Sequence, residues 1–441
     1  MLEKLFKLKE HGTSVTTELI AGLTTFMTLS YIIFVQPAVM QSAGMDFGSV
    51  MVATCVASAI ACFFMAFLAN YPIALAPAMG HNFFFAFVVC GVMGFTWQEA
   101  LGANFISGAL FIILSFFGFR DKILNAVPDV LKKAIAAGIG LLITLVGFEW
   151  AGIVVAQPGT YIGLGDLGSV PVLISIFGVL IIAALMTFKV KGAILWGIIA
   201  AIIAGIPFGI TKYTGAIFSL PPSIEPTFFK LDVIGVLRNK DFLAVIFIFF
   251  FLDLFDTIGT LIGVCSQANL LKEGKLPRGK QALLSDAVGT VAGTLMGTST
   301  ITSYIESASG VAEGGRTGLT SITVGVLLLL SLFFSPLVEM VASGYAVEGG
   351  PVLYPAIAPA LIIIGCLMFQ GLKEIDFDDI SNTIPAFLTA IVMPFTFSIT
   401  EGIAFGFISY SFLKLIQGKG RESHWLIHLF SLLFIARYIY L

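Results

Sequence analysis

Long apolar runs separated by short polar breaks dominate the pattern of this chain. An α-helix needs about 20 mostly apolar residues to cross the hydrocarbon core of a bilayer. At that length the pattern predicts about fourteen transmembrane spans, and so an all-α integral membrane fold. The spans are placed at residues 18–40, 48–69, 71–89, 97–119, 129–148, 170–188, 192–210, 242–266, 281–297, 298–315, 319–336, 351–372, 380–398 and 400–416.

Basic residues orient these spans, because cytoplasmic loops of membrane proteins are enriched in Lys and Arg. Lys189 and Lys191, for example, fall on the same side as the basic N-terminal stretch, whereas the opposite-side loops 151–169 and 337–350 contain no Lys or Arg. The pattern predicts a multi-pass protein of the cell (inner or plasma) membrane with both termini cytoplasmic. Residues 421–441 are expected to form a C-terminal interfacial tail, with a fifteenth span as the alternative.

The two halves of the chain resemble each other, which indicates an internal repeat. VLKKAIA at 130–136 and VLYPAIA at 352–358 agree at five of seven positions. Seven spans per half is an odd number, so the second copy must be inverted in the membrane, as in many secondary transporters. We therefore expect 1–232 to form a first seven-span repeat and 233–420 a second, inverted one.

Two of the predicted spans are interrupted. The third contains Pro72, Pro77 and Gly80, and a continuous helix through Pro77 would lose a hydrogen bond and clash with the preceding turn. The tenth opens after Gly297 with TSTITS, a hydroxyl-rich stretch with β-branched residues that favours extended backbone. Non-helical backbone at membrane depth is tolerated only where it lines a cavity or is buried in protein. The breaks in spans 3 and 10 therefore predict short extended segments beside a substrate site.

Acidic residues are expected at the same depth. Asp253 and Asp256 lie three positions apart near the middle of span eight, on one helical face. A carboxylate at the bilayer centre costs about 2.5–3.5 kcal/mol, so such residues are usually functional. Glu306 follows the break in span ten and Asn82 the break in span three. The candidate substrate-binding residues are Glu306, Asp256, Asn82, Asp253, His81, Phe83, Tyr304 and Ser303, and the candidates for proton coupling are Asp256, Asp253 and Glu306.

Structural roles are open alternatives for several of these residues. Ser303 and Glu306 match the S-x-x-E capping box, in which the acid only closes a helix end. Asn82 can serve as a helix cap alone, and Asp253 as a structural acid that leaves the chemistry to Asp256. His81, the only histidine within a predicted span, can be a hydrogen-bonded interior residue.

Composition excludes other classes of protein. The chain is 58% hydrophobic and 11% charged, with a mean hydropathy of +1.01, far from the balance of a soluble domain. A net charge of −3 argues against a nucleic-acid partner, which would require a basic surface. The sequence has no metal-ligand spacing, no G-x-S-x-G and no P-loop. We therefore expect no cofactor, no metal, no catalytic residue and no enzyme activity.

Four motifs closely resemble the AzgA-type purine permeases of the xanthine/uracil permease superfamily of nucleobase–cation symporters: LAPAMGHNFFFAF, FLDLFDTIGTLIGV, GTSTITSYIESASGVAEGGRTGLTS and EGIAFGFISYSFLK. The resemblance implies a core domain of spans 1–4 and 8–11 and a gate domain of spans 5–7 and 12–14. It also implies alternating-access uptake of adenine, guanine or hypoxanthine with a proton, in preference to Na⁺. By the same resemblance Glu306 holds the base, Asp256 serves binding and proton coupling, and Asp253 and Asn82 line the site.

The chain departs from the family pattern beside the presumed site. The third span of the family commonly reads PGMGLN, whereas here Ala78 and His81 replace Gly and Leu. Gln36 precedes Pro37 in the first span, where Asn is usual. These changes leave the substrate open, and the alternative is a transporter of another heterocycle or of an anion on the same fold. The sequence also leaves open whether two copies form a homodimer in the lipid bilayer.

Overall fold

Helices make up most of the protein, whose computed structural model describes residues 2–117, 127–157, 159–213, 215–239, 241–271, 276–340, 344–347, 351–420 and 423–440. The predicted end of span four at 118–119, and residues 421, 422 and 441 of the predicted tail, lie outside them. Within the described residues, eight helices are long and apolar enough to cross a bilayer, and shorter apolar helices accompany them. This agrees with a helical membrane protein, whereas the arrangement of fourteen spans in inverted repeats stays a prediction.

The elements follow one another in chain order. The first part contains α1 (Leu2–Phe6), α2 (Val15–Leu29), α3 (Ile32–Gln41), α4 (Phe47–Phe64), β1 (Leu75–Pro77), α5 (Met79–Phe83), α6 (Trp97–Phe117), α7 (Asp129–Ala151), β2 (Val154–Gln157), β3 (Tyr161–Leu164), α8 (Val170–Thr187) and α9 (Ala193–Gly205). The second contains α10 (Val233–Arg238), α11 (Phe242–Gln267), α12 (Gly279–Met296), β4 (Ile301–Ser303), α13 (Ser307–Ala312), α14 (Gly318–Ser331), α15 (Ser335–Glu339), β5 (Tyr345–Ala346), β6 (Val352–Leu353), α16 (Ala358–Phe369), α17 (Ile380–Thr396), α18 (Ile399–Ile416) and α19 (Trp425–Tyr440). Segments of π-helix at Met65–Ala69 and Phe84–Val92 extend α4 and α5, and 3₁₀ turns at Leu332–Phe334 and Gln370–Glu374 extend α14 and α16.

The described residues of 1–117 and 168–360 form one compact unit. In it, α4 and its π-helical end stop at Asn70, which adopts a left-handed backbone with φ +50°. The Asn70 side chain donates to the carbonyl of Phe6 at 3.1 Å and accepts from the backbone N–H of Gly318 at 2.7 Å. This residue therefore turns the chain out of α4 just before β1, because Asn tolerates the left-handed region better than most residues.

A buried carboxylate joins α2 to α14. Glu18 is fully buried, and its oxygens accept from the backbone N–H of Thr320 at 3.2 Å and from the Thr320 hydroxyl at 2.6 Å, as well as from the N–H of Arg316 at 2.8 Å. The first N–H groups of a helix have no partner within it, so this acid caps α14 from another helix. At Gly22 an added Cβ would lie 2.4 Å from Cβ of Thr323, so only glycine lets the two helices approach this closely.

The described residues of 118–167 and 361–441 form a second compact unit. In it α7 packs against α17 at Gly138, where an added Cβ would lie 2.6 Å from Sδ of Met393. Lys414 of α18 donates to the Ser381 hydroxyl at 2.6 Å and lies 3.5 Å from Oδ2 of Asp379, the N-cap of α17. The β2–β3 hairpin follows α7. The predicted repeat boundaries and the core and gate domains stay predictions.

Candidate functional site

The two interrupted spans meet in a short antiparallel sheet. β1 pairs with β4 so that Leu75 faces Ser303 and Pro77 faces Ile301. Beyond the strands, the N–H of Ala78 donates to the carbonyl of Thr300, and the N–H of Tyr304 donates to that of Ala74, both at 2.9 Å. Every residue of both strands is buried. Extended backbone therefore lies where the sequence predicted it, and each strand satisfies the polar groups of the other.

Glu306 lies directly after this sheet, at the start of α13. Its carboxylate makes no cap hydrogen bond to α13, so the structure does not show the capping-box alternative. Instead, Oε1 accepts from the phenol of Tyr31 at 2.6 Å. The side chain of Glu306 is partly exposed, whereas Tyr31 is 2% exposed. A carboxylate held on one side and accessible on another is suited to accept hydrogen bonds from a ligand.

Asp256 of α11 opens onto the same region. Its Oδ2 accepts from the Thr302 hydroxyl of β4 at 3.4 Å, and its carboxylate interacts electrostatically with that of Glu306. Asp256 is exposed, as is Gly259 one turn later, where an added Cβ would have no heavy atom within 4 Å. We call the accessible space beside Asp256, Gly259 and Glu306 the site gap. Two predicted site residues thus lie beside β4, Asp256 through its contact with Thr302 and Glu306 just after the strand.

Asp253 lies elsewhere, although it belongs to the same helix. It is fully buried, and the Thr257 hydroxyl lies 3.4 Å from its Oδ1 and 2.9 Å from Oδ2 of Asp286. Asp286, on α12, is fully buried too. α12 turns it toward α11, where it contacts the Thr257 hydroxyl. Asp253 and Asp286 form a sealed acidic pair outside the site gap.

Asn82 belongs to a buried polar network behind the sheet. The Ser299 hydroxyl donates a short hydrogen bond to Asn82 Oδ1, and Gln36 Nε2 donates to Ser299 at 3.2 Å and to Thr298 at 3.0 Å. Thr54 joins through the Thr298 hydroxyl at 3.2 Å. All five side chains are buried, so this network fixes the segment that leads into β4.

The remaining predicted site residues pack around the sheet. His81 is 1% exposed, and its ring stacks on Phe249 with centroids 6.4 Å apart. Phe83 is fully buried against Phe87 at 5.4 Å. The phenol of Tyr304 donates a short hydrogen bond to the carbonyl of Pro77. Ser303, 2% exposed, lies in β4. His81 and Phe83 therefore face packed side chains and not the site gap.

Three polar residues of this region were missed from the sequence: Tyr31, Gln36 as a network member, and Asp286. Each is polar and lies within or beside an apolar run, so a search for every hydrogen-bonding side chain at membrane depth would have found them. No group of three or more His, Cys, Asp or Glu side chains among the described residues could hold a metal ion.

Comparison with known proteins shows the family to which the chain belongs. A family model of the xanthine/uracil type, described as Permease family, matches residues 16–405. The adenine permease AdeP of Escherichia coli is 45% identical over all of this chain and 96% of its own length. The guanine/hypoxanthine permease PbuG of Bacillus subtilis is 44% identical over the full length of both chains.

A solved structure shares the fold. The transmembrane domain of the cyanobacterial bicarbonate transporter BicA aligns with a TM-score of 0.63 at 15% identity, over 88% of this chain and 96% of that one. At that identity the likeness shows only the fold, which is that of a helical membrane transporter. The chain, a transporter and not an enzyme, belongs to the xanthine/uracil permease family.

Proposed function

We propose that the protein takes up purine nucleobases together with a proton across the cell membrane, by alternating access. The carboxylates of Asp256 and Glu306 at one accessible gap beside the β1–β4 sheet are the observation that carries this proposal. The names of AdeP and PbuG support a purine as the substrate. A neutral purine offers N–H donors to these acids, whereas an anion would be repelled by them.

Glu306 is the proposed acceptor for the N–H groups of the base. Thr302, whose hydroxyl reaches Asp256 at 3.4 Å, links the acid of α11 to the strand beside Glu306. Asn82, Tyr304 and Ser303 support the sheet and its surroundings from buried positions. In this proposal His81 and Phe83 shape the site through packing, without touching the base.

Asp256 is the proposed carrier of the coupling proton. A coupling proton must enter and leave in every cycle, and Asp256 is accessible from the site gap. Asp253 is sealed against Asp286, and two negative charges buried so close together would repel strongly. We therefore assign the coupling proton to Asp256 and a structural role beside Asp286 to Asp253. The proposal thus gives different roles to Asp253 and Asp256, which the sequence had left as alternatives for proton coupling.

The proposed architecture has fourteen spans in two inverted repeats, with core and gate domains as the resemblance implies. β1 begins at residue 75 and β4 at residue 301, 226 positions later, close to the offset of 222 between the matching VLKKAIA and VLYPAIA segments. Interrupted spans at equivalent positions of two halves are typical of substrate sites in secondary transporters. The proposed transport needs no cofactor, and it does not depend on whether two copies of the chain form a homodimer.

The test is uptake of radiolabelled adenine, guanine, hypoxanthine, xanthine and uracil into cells, with and without a protonophore. We expect protonophore-sensitive uptake of at least one purine by the wild type. Glu306→Gln keeps the shape of the side chain but removes its charge, and we expect it to lower uptake by about tenfold or more. Glu225→Gln, at an exposed loop position, is the matched control and should transport normally. Normal uptake by Glu306→Gln at equal membrane levels contradicts the assignment of the site.

A further inference from the structure

We propose that Tyr31 is a positioning residue that fixes the plane of the Glu306 carboxylate and thereby favours bases with two adjacent N–H donors. This inference rests on the proposed function. Tyr31 connects α2 to α3, is 2% exposed, and donates its phenolic hydrogen to Oε1 of Glu306 at 2.6 Å. Hydrogen bonds to an ionised acceptor are short and strong, so this contact restricts rotation of the carboxylate.

The backbone of Glu306 is held within its own helix and lies beside the end of α2. Its carbonyl accepts from the Ser309 hydroxyl at 2.7 Å and from the Thr28 hydroxyl at 3.5 Å. The hydroxyls of Thr28 and Ser309 lie 3.0 Å apart. The Thr28 hydroxyl donates mainly to the Thr25 carbonyl at 2.8 Å, so the end of α2 contacts the start of α13 through Thr28 and holds the Glu306 carboxylate through Tyr31.

The phenol of Tyr31 is itself held in place. It interacts with the phenol of Tyr304, which donates to the carbonyl of Pro77 in β1. The positioning contact therefore connects, through Tyr304, to Pro77 of β1 and to the residue that follows β4. Preorganisation of this kind increases affinity because less freedom is lost on binding.

A fixed carboxylate plane distinguishes purines by their donor pattern. Guanine presents a ring N–H and an amino group side by side, and these can pair with both oxygens of one carboxylate in its plane. Hypoxanthine presents the ring N–H without the amino group, so its single hydrogen bond tolerates a rotated carboxylate. Loss of the Tyr31 hydroxyl should therefore weaken guanine binding more than hypoxanthine binding.

The experiment compares KM and Vmax of the wild type and Tyr31→Phe for every purine that the wild type carries. Tyr71→Phe is the matched control, because Tyr71 is 1% exposed and its hydroxyl contacts the backbone N–H of Arg278, away from Glu306. We expect KM to rise about tenfold in Tyr31→Phe with Vmax nearly unchanged, since the lost hydrogen bond involves a charged group. Where guanine and hypoxanthine are both carried, the rise should be larger for guanine. Tyr71→Phe should keep the wild-type KM.

The outcomes separate this inference from the proposed function. If the wild type carries no purine, the proposed function itself fails. If the wild type carries a purine and Tyr31→Phe keeps its KM, or loses only Vmax, Tyr31 does not position Glu306. A rise in KM that Tyr71→Phe reproduces would likewise overturn the inference, because it would reflect the loss of any buried tyrosine hydroxyl.

A separate observation concerns the C-terminal helix, and we infer that α19 crosses the bilayer beside α18. The two helices run antiparallel along their length. Arg437 lies 2.8 Å from Glu401 at one end, and His428 lies 2.7 Å from the Ser411 hydroxyl toward the other. Between them, Phe407 contacts the ring of Phe434 at 6.3 Å. α18 is itself long and apolar enough to span, and α19, a shorter apolar helix, packs along it from Glu401 to Ser411.

The outer face of α19 supports a crossing and not an interfacial position. The polar side chains His428, Ser431 and Arg437 all contact α18 or the turn before α19. Apart from Tyr438, whose hydroxyl donates to Glu401 of α18, the exposed residues of its middle and end are apolar, namely Leu429, Leu432, Leu433, Ile435 and Ile439. An interfacial helix needs a polar face toward water, which α19 lacks. This inference adopts the fifteenth span, which the sequence left as the alternative to an interfacial tail.

Cysteine accessibility tests this topology. Lys419→Cys and Ile439→Cys are made singly in a variant without the five native cysteines that still transports, and are labelled with a membrane-impermeant maleimide before and after permeabilisation. Lys419 lies before α19 and Ile439 near its end, so we expect one position to react in intact cells and the other only after permeabilisation. Labelling of both from one side, or of Ile439→Cys from neither, would overturn the crossing.

Discussion

Two acids of one helix, Asp253 and Asp256, lie in opposite environments. Asp256 is exposed to the site gap and interacts with Glu306, whereas Asp253 is fully buried and shares the Thr257 hydroxyl with Asp286. Both are carboxylates at membrane depth and three positions apart. Their chemistry is therefore decided by the neighbouring element: a strand and an open space for one, a packed helix for the other.

The comparison shows why charge alone does not identify a transport residue. An accessible acid can exchange protons and bind a ligand, whereas a sealed acid can only satisfy its own neighbours. Three substitutions in and around the two acids test this difference, from the largest expected effect to the smallest.

Asp256→Asn should have the largest effect, because it removes the accessible charge while keeping the shape of the side chain. We expect purine uptake to fall about tenfold to a hundredfold, the range for loss of a hydrogen bond to a charged group. The remaining uptake should no longer respond to a protonophore. Asp253→Asn, measured in parallel, should keep that response. If Asp253→Asn loses it and Asp256→Asn keeps it, the roles of the two acids are reversed.

Thr257→Val should act on stability. The substitution keeps the volume of the side chain but removes the hydroxyl between Asp253 and Asp286, at a cost of about 1–3 kcal/mol for buried groups that lose a partner. We expect a lower Tm of the detergent-purified protein and an unchanged KM. Thr260→Val, also on α11 and 8% exposed, is the control. A raised KM without a change in Tm would place the sealed pair in the binding step.

Thr302→Val should have the smallest effect. Its hydroxyl reaches Asp256 only at 3.4 Å, so its loss should cost at most about 1 kcal/mol. We expect KM to rise a few-fold at most, with coupling to the proton intact. Loss of protonophore sensitivity in this variant would mean that Thr302, and not the openness of the gap, controls the proton on Asp256.

The location of the site could be predicted well from the sequence. The contacts that each side chain makes there could not. Pro77 and the TSTITS stretch after Gly297 are local signals, so the extended segments could be placed before the structure was known. That they pair with each other depends on contacts between residues more than 220 positions apart, which a single sequence does not display.

Helical periodicity also has limited angular resolution. Residues three positions apart on an α-helix point about 60° from each other, so Asp253 and Asp256 count as one face. That difference is sufficient to turn one toward α12 and the other toward the gap. Asp286 and Tyr31 were missed for the same reason, since their roles depend on which helix each one faces.

The Glu18 carboxylate that caps α14 has a mechanical consequence. This buried acid ties α2 to the start of α14, and the segment after α2 holds Glu306, so hydrogen bonds connect the first and eleventh predicted spans to the acid of the site. In an alternating-access cycle these connected elements would move together with the bound ligand, and the shape of the binding site would stay the same. The speed of transport and the tightness of binding would then be set by different parts of the protein and could evolve independently.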